Sequence, residues 1–234
     1  MHHVHLETCP STQIYLRENL PELLQYGQQL LVSTGAQLSG IGRIGNTWQH
    51  YTNALAFSFT LIPTVKPSMT PIVIGLQLIE FFQTFYQLPL KVKWPNDLLT
   101  LDFKKAVGVL CHQSKGVFLV GVGINWGKAG DILNDPSFKF PAGVLFPQQT
   151  LTEKDKEQMP RQICNYIYQN PMTPQAARNS WQKHCAHHLC PVEIITPQET
   201  IKGNFIGIGE EGDALLNQEG VVRKVNTGML LFNP

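Results

Sequence analysis

Glycines surround a single arginine in the first segment of this chain that can do chemistry. Gly40, Gly42 and Gly45 flank Arg43. Glycine lets backbone amides approach a phosphate closely, and a guanidinium adds charge-assisted hydrogen bonds to its oxygens. The spacing matches neither the P-loop nor the dinucleotide fingerprint, so by itself it fits a surface turn equally well.

The second segment reads Lys93-Trp94-Pro95-Asn96-Asp97. Apolar and charged residues alternate before it, as in a half-buried strand, and the Pro-Asn-Asp sequence predicts a turn at the strand end. An ammonium, an amide and a carboxylate at the rim of a sheet can bind a nucleotide with its metal or a polar ligand head. Each residue alone also fits an ordinary turn.

Two more segments follow within thirty residues or so. Lys104 and Lys105 precede a predicted strand, where a lysine pair is typical of a solvated surface. Gly121 and Gly123 lie inside an apolar strand that ends at Asn125. Glycine weakens a strand, so its presence suggests close approach of a ligand or of another backbone.

Alternating helices and strands position these segments. Ser11 predicts an N-cap for a short helix, and Thr70 predicts a capping hydroxyl before Pro71 at the first helical position. Further helices are predicted at residues 152–169 and 173–187, and the glycines of residues 35–46 are expected to exclude regular structure there. Strands are predicted at residues 30–34, 54–61, 90–94, 107–113, 117–124, 192–196, 201–208, 214–217 and 221–225. The fourth and fifth of these are expected to pair as a hairpin across Ser114-Lys115-Gly116.

The order of these elements predicts an α/β (α+β) fold. A mixed central sheet flanked by helices would occupy residues 1–188, and the short strands of residues 189–234 suit a small antiparallel barrel. We therefore place a domain boundary near residue 189.

The composition is typical of a globular enzyme. Hydrophobic residues make up 43%, charged residues 15%, and the formal net charge is +1, so nothing in the balance favours a nucleic acid or a membrane as partner. The N-terminus lacks the pattern of a signal peptide, and the apolar residues 71–85 are short for a membrane span. Five cysteines without a framework fit reduced thiols, so we expect a cytoplasmic protein.

Taken in order, the four segments resemble the biotin protein ligase family. Its catalytic domains carry Ser-Thr-Asn near the start, an Arg-Gly-Arg-rich loop, Lys-Trp-Pro-Asn-Asp, a lysine before a Gly-Ile-Leu strand, and Gly-x-Gly-Ile-Asn. The matches here are residues 11–13, 40–48, 93–97, 105–110 and 121–125. The resemblance covers nearly the whole chain, since residues 203–216 also look like the family's SH3-like barrel. It implies a catalytic domain related to class II synthetase-like ligases.

The resemblance also implies a two-step reaction. Biotin and ATP, with Mg²⁺ on the phosphates, give biotinyl-5′-adenylate and pyrophosphate, and a lysine of a biotin carrier protein then attacks the acyl carbon. Charge builds up on the α-phosphate in the first step, so preorganised cations and amides are the expected catalysts. The natural carrier would be a carboxylase carrier domain, and dimer formation stays open.

Site roles carry over residue by residue. The catalytic residues implied are Lys105, Arg43 and Asp97. The biotin-binding residues implied are Ser11, Thr12, Gln13, Gln37, Gly40, Lys105, Gly108 and Gly121. The ATP-binding residues implied are Arg43, Gly42, Trp48, Asn96, Asn125 and Gly123. Metal ligation by side chains is not expected, because Mg²⁺ is held largely by substrate oxygens and water.

Three departures from the family pattern matter. Gln13 stands where the family usually has Asn, which lengthens the amide arm. The family's arginine run is reduced to Arg43 within residues 41–46, and we expect looser retention of the adenylate. No helix-turn-helix precedes Ser11, so no DNA-binding role is expected.

Three alternative functions remain open. A lipoate or octanoyl transferase is the rival enzyme, a biotin or adenylate binder without turnover is the rival from another class, and a scaffold protein is a third reading.

Phe138, Phe140 or Trp126 would cover the adenine or serve as packing anchors. The cluster His184-Cys185-Ala186-His187-His188-Leu189-Cys190 has zinc-binding residue types without a familiar spacing, and fits a histidine-rich helix end as well.

Overall fold

The structure is a computed structural model that describes residues 1–45, 47–48, 53–128 and 141–233. It divides into two compact units, Met1–Ile62 with Lys104–Asn170, and Pro63–Phe103 with Pro171–Pro234. The predicted α/β class, with a mixed sheet, flanking helices and a small C-terminal sheet, is confirmed. The domain boundary near residue 189 stays a prediction. Among the described residues, no helix has the length and apolar character needed to cross a membrane.

The elements follow in chain order. The strands are β1 (His2–Cys9), β2 (Leu30–Gln37), β3 (Gly40–Ile41), β4 (Thr47–Trp48), β5 (Ala54–Leu61), β6 (Lys91–Lys93), β7 (Asp97–Leu99), β8 (Lys105–Ser114), β9 (Val117–Asn125), β10 (Pro191–Ile195), β11 (Thr200–Ile208), β12 (Ala214–Gln218), β13 (Val221–Val225) and β14 (Met229–Phe232). The helices are α1 (Thr12–Glu18), α2 (Leu20–Leu23), α3 (Thr70–Tyr86), α4 (Glu153–Gln169) and α5 (Pro174–His184).

The first unit is built on five strands in the order β1-β2-β5-β9-β8. β1 and β2 run parallel, and the other neighbours run antiparallel. Successive side chains of a strand face opposite sides, so β2 serves two layers. Leu30 and Val32 join a buried cluster with Leu16 of helix α1 and Leu20 of helix α2. On the opposite face of the sheet, Arg161 of α4 donates a hydrogen bond to His3 of β1.

Helix α1 begins where the sequence predicts, but the capping chemistry differs. Ser11 has the extended backbone of an N-cap, and its side chain makes no capping hydrogen bond. The Oε1 atom of Gln37 instead accepts from the backbone N–H of Thr12 at 2.9 Å. A glutamine from β2 therefore occupies a helix N-terminus that a capping hydroxyl would otherwise serve.

The predicted hairpin is confirmed. Ser114 pairs with Val117, so Lys115 and Gly116 form a two-residue turn. Their φ angles of 48° and 81° are both positive, as the type I′ turn requires for strands with a right-handed twist.

The second unit contains α3, the β6–β7 hairpin, α5 and a five-stranded antiparallel sheet in the order β13-β12-β11-β10-β14. Its core includes Trp94, which is fully buried and donates its indole N–H to the Gly212 carbonyl at 2.9 Å. The prediction of a capping hydroxyl at Thr70 is wrong. Met69 is the N-cap, because Thr70 already has helical backbone and its hydroxyl turns back to the Lys66 carbonyl.

Three other expectations need correction. The glycine-rich residues do contain regular structure, since Gly40 pairs with Trp48 and Ile41 with Thr47. Helix α5 ends at His184 rather than at residue 187, because Cys185 is extended and the next amide bonds the Val92 carbonyl. Strands β1, β7 and β14 were not predicted.

Candidate active site

A buried amide floor lies between α1 and β9 in the first unit. Gln13 is 5% exposed and donates its Nε2 to the Leu119 carbonyl at 2.9 Å. This bond fixes the amide orientation and leaves Oε1 buried with no hydrogen-bond partner among the described residues. A Cβ atom at Gly121 would lie 2.8 Å from that oxygen, so only glycine leaves room beside it. The floor therefore presents an acceptor that needs a donor.

Hydroxyl and amide groups line the adjoining wall. Thr12 donates its hydroxyl to Gln37 Oε1 at 3.3 Å, and it shares a 2.9 Å hydrogen bond with the hydroxyl of Ser58 on β5. Ser11, the preceding residue, is 1% exposed. The Nε2 atom of Gln37 lies on the Gly40 side, 2.5 Å from where a Cβ would stand. Donors and acceptors for a small neutral polar group thus occur together, and the wall is rigid because its members bond one another.

A pair of facing glycines forms a shelf for an aromatic ring. Gly108 of β8 and Gly123 of β9 are register partners. Cβ atoms there would lie 2.8 Å and 2.5 Å from ring atoms of Trp48, so the indole rests on bare backbone. The Lys105 ammonium stands 5.7 Å from the ring centroid, within the range of a cation–π interaction. This cation is the lysine that the resemblance implies to act in catalysis.

The glycine-rich segment brings Arg43 near β8. Gly42 connects β3 to a short 3-10 turn of Arg43–Gly45. Burial raises the pKa of the Cys111 thiol on β8 to about 12, and the positive charge of Arg43 opposes this rise. Asn46 lies outside the described residues.

Asn125 ends β9 as a buried group engaged with the protein. It is 7% exposed and donates Nδ2 to the Gly143 carbonyl at 3.0 Å. Residues around Gly143 also bond Lys105, the first residue of β8. Asn125 and Lys105 are therefore linked through one segment of chain.

Asn96 and Asp97 belong to the second unit. Asp97 is 8% exposed, and its Oδ2 lies 3.4 Å from the ammonium of Lys93, which is 4% exposed. The cis peptide bond between Trp94 and Pro95 forms the turn that carries Asn96. The contact directs Oδ2 of Asp97 toward Lys93, and removing either charge would leave the other buried and uncompensated.

The remaining candidates have structural partners. Trp126 is 3% exposed, packs on Phe146 with ring centroids 4.6 Å apart, and donates to Gln149 at 3.2 Å. Phe138 and Phe140 lie outside the described residues. In the histidine-cysteine cluster, His187 is fully buried against Phe205, with ring centroids 4.3 Å apart. Within the described ranges, no group of three His, Cys, Asp or Glu side chains is arranged to hold a metal ion.

Sequence reasoning missed several parts of the site. Ser58 is a polar residue inside an apolar strand, a signal that points to a hydrogen-bonding role. The Leu119 carbonyl offered no such signal. His112 Nδ1 lies 3.4 Å from Nε2 of Gln13. Partial burial, and to a lesser degree the positive charge of Arg17, lowers the pKa of the His112 imidazole. A neutral ring can accept a hydrogen bond from that amide.

The described site thus has two groups in the first unit. Thr12, Gln13, Gln37 and Gly121 form a polar pocket, and Gly108, Gly123, Trp48 and Lys105 form a cationic shelf. This combination suits a ligase that activates a small carboxylic acid with a neutral polar head. Residues 6–128 match the model of the biotin/lipoate A/B protein ligase family, and the chain belongs to that family.

Relatives and solved structures agree with this assignment, so the family inferred from the motifs is confirmed. The chain is 27% identical to the bifunctional ligase/repressor BirA of Salmonella typhimurium over 93% of its own length and 70% of that protein. It is 26% identical to BirA of Escherichia coli, with the same coverage.

The fold is similar to that of the biotin protein ligase from Aquifex aeolicus in complex with biotin and ATP. The TM-score is 0.77 at 23% identity, with 99% of both chains covered. The biotin protein ligase from Leishmania major in complex with biotinyl-5-AMP gives 0.62 at 16% identity, covering 100% of this chain and 98% of that one.

Proposed function

We propose that this protein uses ATP to attach biotin to a lysine of a biotin carrier protein, through a biotinyl-5′-adenylate intermediate. The observation that carries the proposal is the Gln13 amide. Its buried Oε1 has no donor among the described residues, and a ureido N–H would supply one. A lipoyl or octanoyl tail has no N–H at its end, so it would leave this acceptor unsatisfied at a cost of about 1–3 kcal/mol.

The proposed first step joins the two groups of the site. With the ureido ring among Thr12, Gln13 and Gln37, the valeryl chain would extend toward the Gly108–Gly123 shelf and Lys105. The ammonium of Lys105 would neutralise the biotin carboxylate and the α-phosphate as the carboxylate oxygen attacks phosphorus and pyrophosphate leaves. Arg43 would add a second cation on the phosphates, and Trp48 would lie beside the nucleotide.

Mg²⁺ would accompany the nucleotide. Phosphate oxygens and water would hold most of the ion's coordination sphere, as Mg²⁺ prefers on a nucleotide. When bound, the ion would offset negative charge on the departing pyrophosphate.

The proposed second step is aminolysis of the adenylate. The acceptor lysine must lose its proton before it attacks the acyl carbon, which releases AMP. Asp97, directed by Lys93, would orient that amine and take up its proton. Replacing Asp97 with Asn is expected to slow transfer to a carrier domain by about tenfold or more and to leave adenylate formation nearly unchanged, as single-turnover measurements of each step would show.

The choice between biotin and its rivals is tested with a matched pair of glutamine variants. The wild type should label a carrier domain with biotin and not with lipoate or octanoate, as read by mass spectrometry. Gln13→Met should raise the KM for biotin by about tenfold or more, because the apolar side chain offers no acceptor. Gln113→Met, at an exposed position on β8, should leave the KM unchanged. Labelling by lipoate, or equal KM values in the two variants, would contradict the assignment.

A further inference from the structure

Residues 141–146, here called the strap, run beside the first residue of β8. The Pro141 carbonyl accepts the backbone N–H of Lys105 at 2.7 Å, and the N–H of Gly143 donates to the Lys105 carbonyl at 2.8 Å. Lys105 and Ala142 form an isolated parallel bridge. The β8–β9 register begins only at Val107, so the strap binds both backbone polar groups of Lys105 ahead of the hairpin ladder.

The same strap is tied to the end of β9 through Asn125. Its side-chain Nδ2 donates to the Gly143 carbonyl at 3.0 Å, and its backbone carbonyl accepts from Leu145 at 3.0 Å. Phe146 then donates its N–H to the Trp126 carbonyl at 2.6 Å. Asn125 is therefore the one side chain, among these bonds, that joins β9 to the strap.

Close approach at Gly143 makes the arrangement tight. A Cβ atom there would lie 2.6 Å from the Cβ of Lys104 and 3.2 Å from its carbonyl oxygen. Any side chain at this position would push the strap away from the start of β8. Since the strap holds Lys105 by both backbone groups, a displaced strap moves the point from which the lysine side chain extends.

We propose that Asn125 is a positioning residue that fixes Lys105 through the Gly143 carbonyl and the strap. The inference rests on the proposed function, in which the Lys105 ammonium must meet a carboxylate and a phosphate at once. A lysine side chain has four methylene groups, so its ammonium can reach only positions within that length of its backbone. Fixing the backbone of Lys105 therefore limits where the ammonium can lie. Misplacing a reacting group by about 1 Å can cost on the order of 100-fold in rate.

The decisive variant is Asn125→Asp, which keeps the size of the side chain and removes the N–H donor. The ionised carboxylate would face the buried Gly143 carbonyl, leaving that acceptor unsatisfied. Asn170→Asp is the matched control, because Asn170 makes the same kind of bond, from Nδ2 to the Tyr166 carbonyl at 2.8 Å, at the exposed end of α4.

Two readouts separate positioning from direct nucleotide contact. In biotin-dependent ATP–pyrophosphate exchange, Asn125→Asp should lower kcat by about tenfold or more, with KM values for biotin and ATP within about threefold of wild type. By hydrogen exchange, the Lys105 and Gly143 amides should exchange about tenfold faster or more in this variant. Asn170→Asp should match the wild type in both readouts.

Gly143→Ala provides a second route, since it retains Asn125 and displaces the strap. The same fall in kcat and the same faster amide exchange are expected. In Asn125→Asp, a raised KM for ATP together with an unchanged rate of hydrogen exchange at the Lys105 amide would overturn the proposal. An undiminished kcat in Gly143→Ala, despite faster hydrogen exchange at the Lys105 and Gly143 amides, would also overturn it. If the wild type shows no biotin-dependent ATP–pyrophosphate exchange, the proposed function fails. Unchanged hydrogen exchange at these amides in both variants would separately refute the link through the strap.

Discussion

A hydrogen-bonded chain of four side chains should make the stability of the first unit depend on pH. Arg161 has only donors, so His3 Nδ1 accepts from its guanidinium, with 3.3 Å to Nη2. His3 Nε2 then carries the proton and donates to the Ser33 hydroxyl at 2.8 Å. That hydroxyl also shares a 2.7 Å hydrogen bond with His5 Nδ1. The acceptor role of Nδ1 requires the His3 imidazole to be neutral in the folded protein.

The magnitude follows from His3. Burial, and then the charges of Arg161, His5 and His2, lower its pKa from 6.5 to about 4. A difference of about 2.5 pH units corresponds to about 3.4 kcal/mol, and partial exposure of the ring reduces this to about 1–2 kcal/mol. The unfolded chain binds the proton first as the pH falls. This part of the free energy of unfolding is therefore intact above about pH 6.5 and is lost between about pH 6.5 and 4.

Urea unfolding at pH 7.5 and pH 4.5 measures the effect. Between these two conditions, the wild type should lose about 1–2 kcal/mol more than His3→Gln, whose side chain does not titrate. His2→Gln is the matched control, because His2 stacks on Tyr26 with 4.3 Å between ring centroids, lies outside the hydrogen-bonded series and is the smallest of the charges that lower the His3 pKa. Equal losses in the wild type and His3→Gln would refute the reasoning.

Two further substitutions probe the shelf and a helix start. Gly123→Ala should displace Trp48, since the new Cβ would lie 2.5 Å from the indole. The tryptophan fluorescence should therefore shift to the red. The three other tryptophans are at most 3% exposed and should contribute little to the change. Gly75→Ala, with an ordinary 3.4 Å contact, is the control, and an unshifted spectrum would contradict the shelf geometry. Thr152→Ala removes a reciprocal capping box with Asp155 and should lower the free energy of unfolding by about 1 kcal/mol in urea titrations, whereas no loss would show that α4 does not need this cap.

Local patterns were enough to predict elements whose signals lie within one segment. Strand β5 has the predicted bounds, and the β8–β9 hairpin turns where the serine-lysine-glycine sequence indicates. The apolar run after Thr70 gives a 17-residue helix. In each case hydrophobic period and turn chemistry agree, so tertiary packing had little to override.

Other elements depend on partners distant in sequence. β1 places His3 and His5 on one parity, and the strand forms by pairing with β2 about 28 residues away. The β3–β4 ladder crosses a glycine-rich segment whose composition alone favours a loop. The helix N-terminus at Thr12 is served by Gln37, so the expected capping by Ser11 could not be judged without the fold.

The candidate site shows the same division. Motif resemblance named Lys105, Gly108 and Gly123, and the register of two strands brings the glycines together under Trp48. It could not predict that Asn125 uses its amide on the Gly143 carbonyl, because residues 141–146 carry no motif. Backbone contacts of this kind leave little trace in residue types.

Activation of biotin by this protein is measured by biotin-dependent ATP–pyrophosphate exchange on the purified enzyme. The exchange should require biotin, fall by about 100-fold or more in Lys105→Ala and persist in Lys104→Ala, the adjacent lysine. The neighbour controls for the loss of one positive charge at the start of β8. Exchange that needs no biotin, or that survives in Lys105→Ala, would contradict the account.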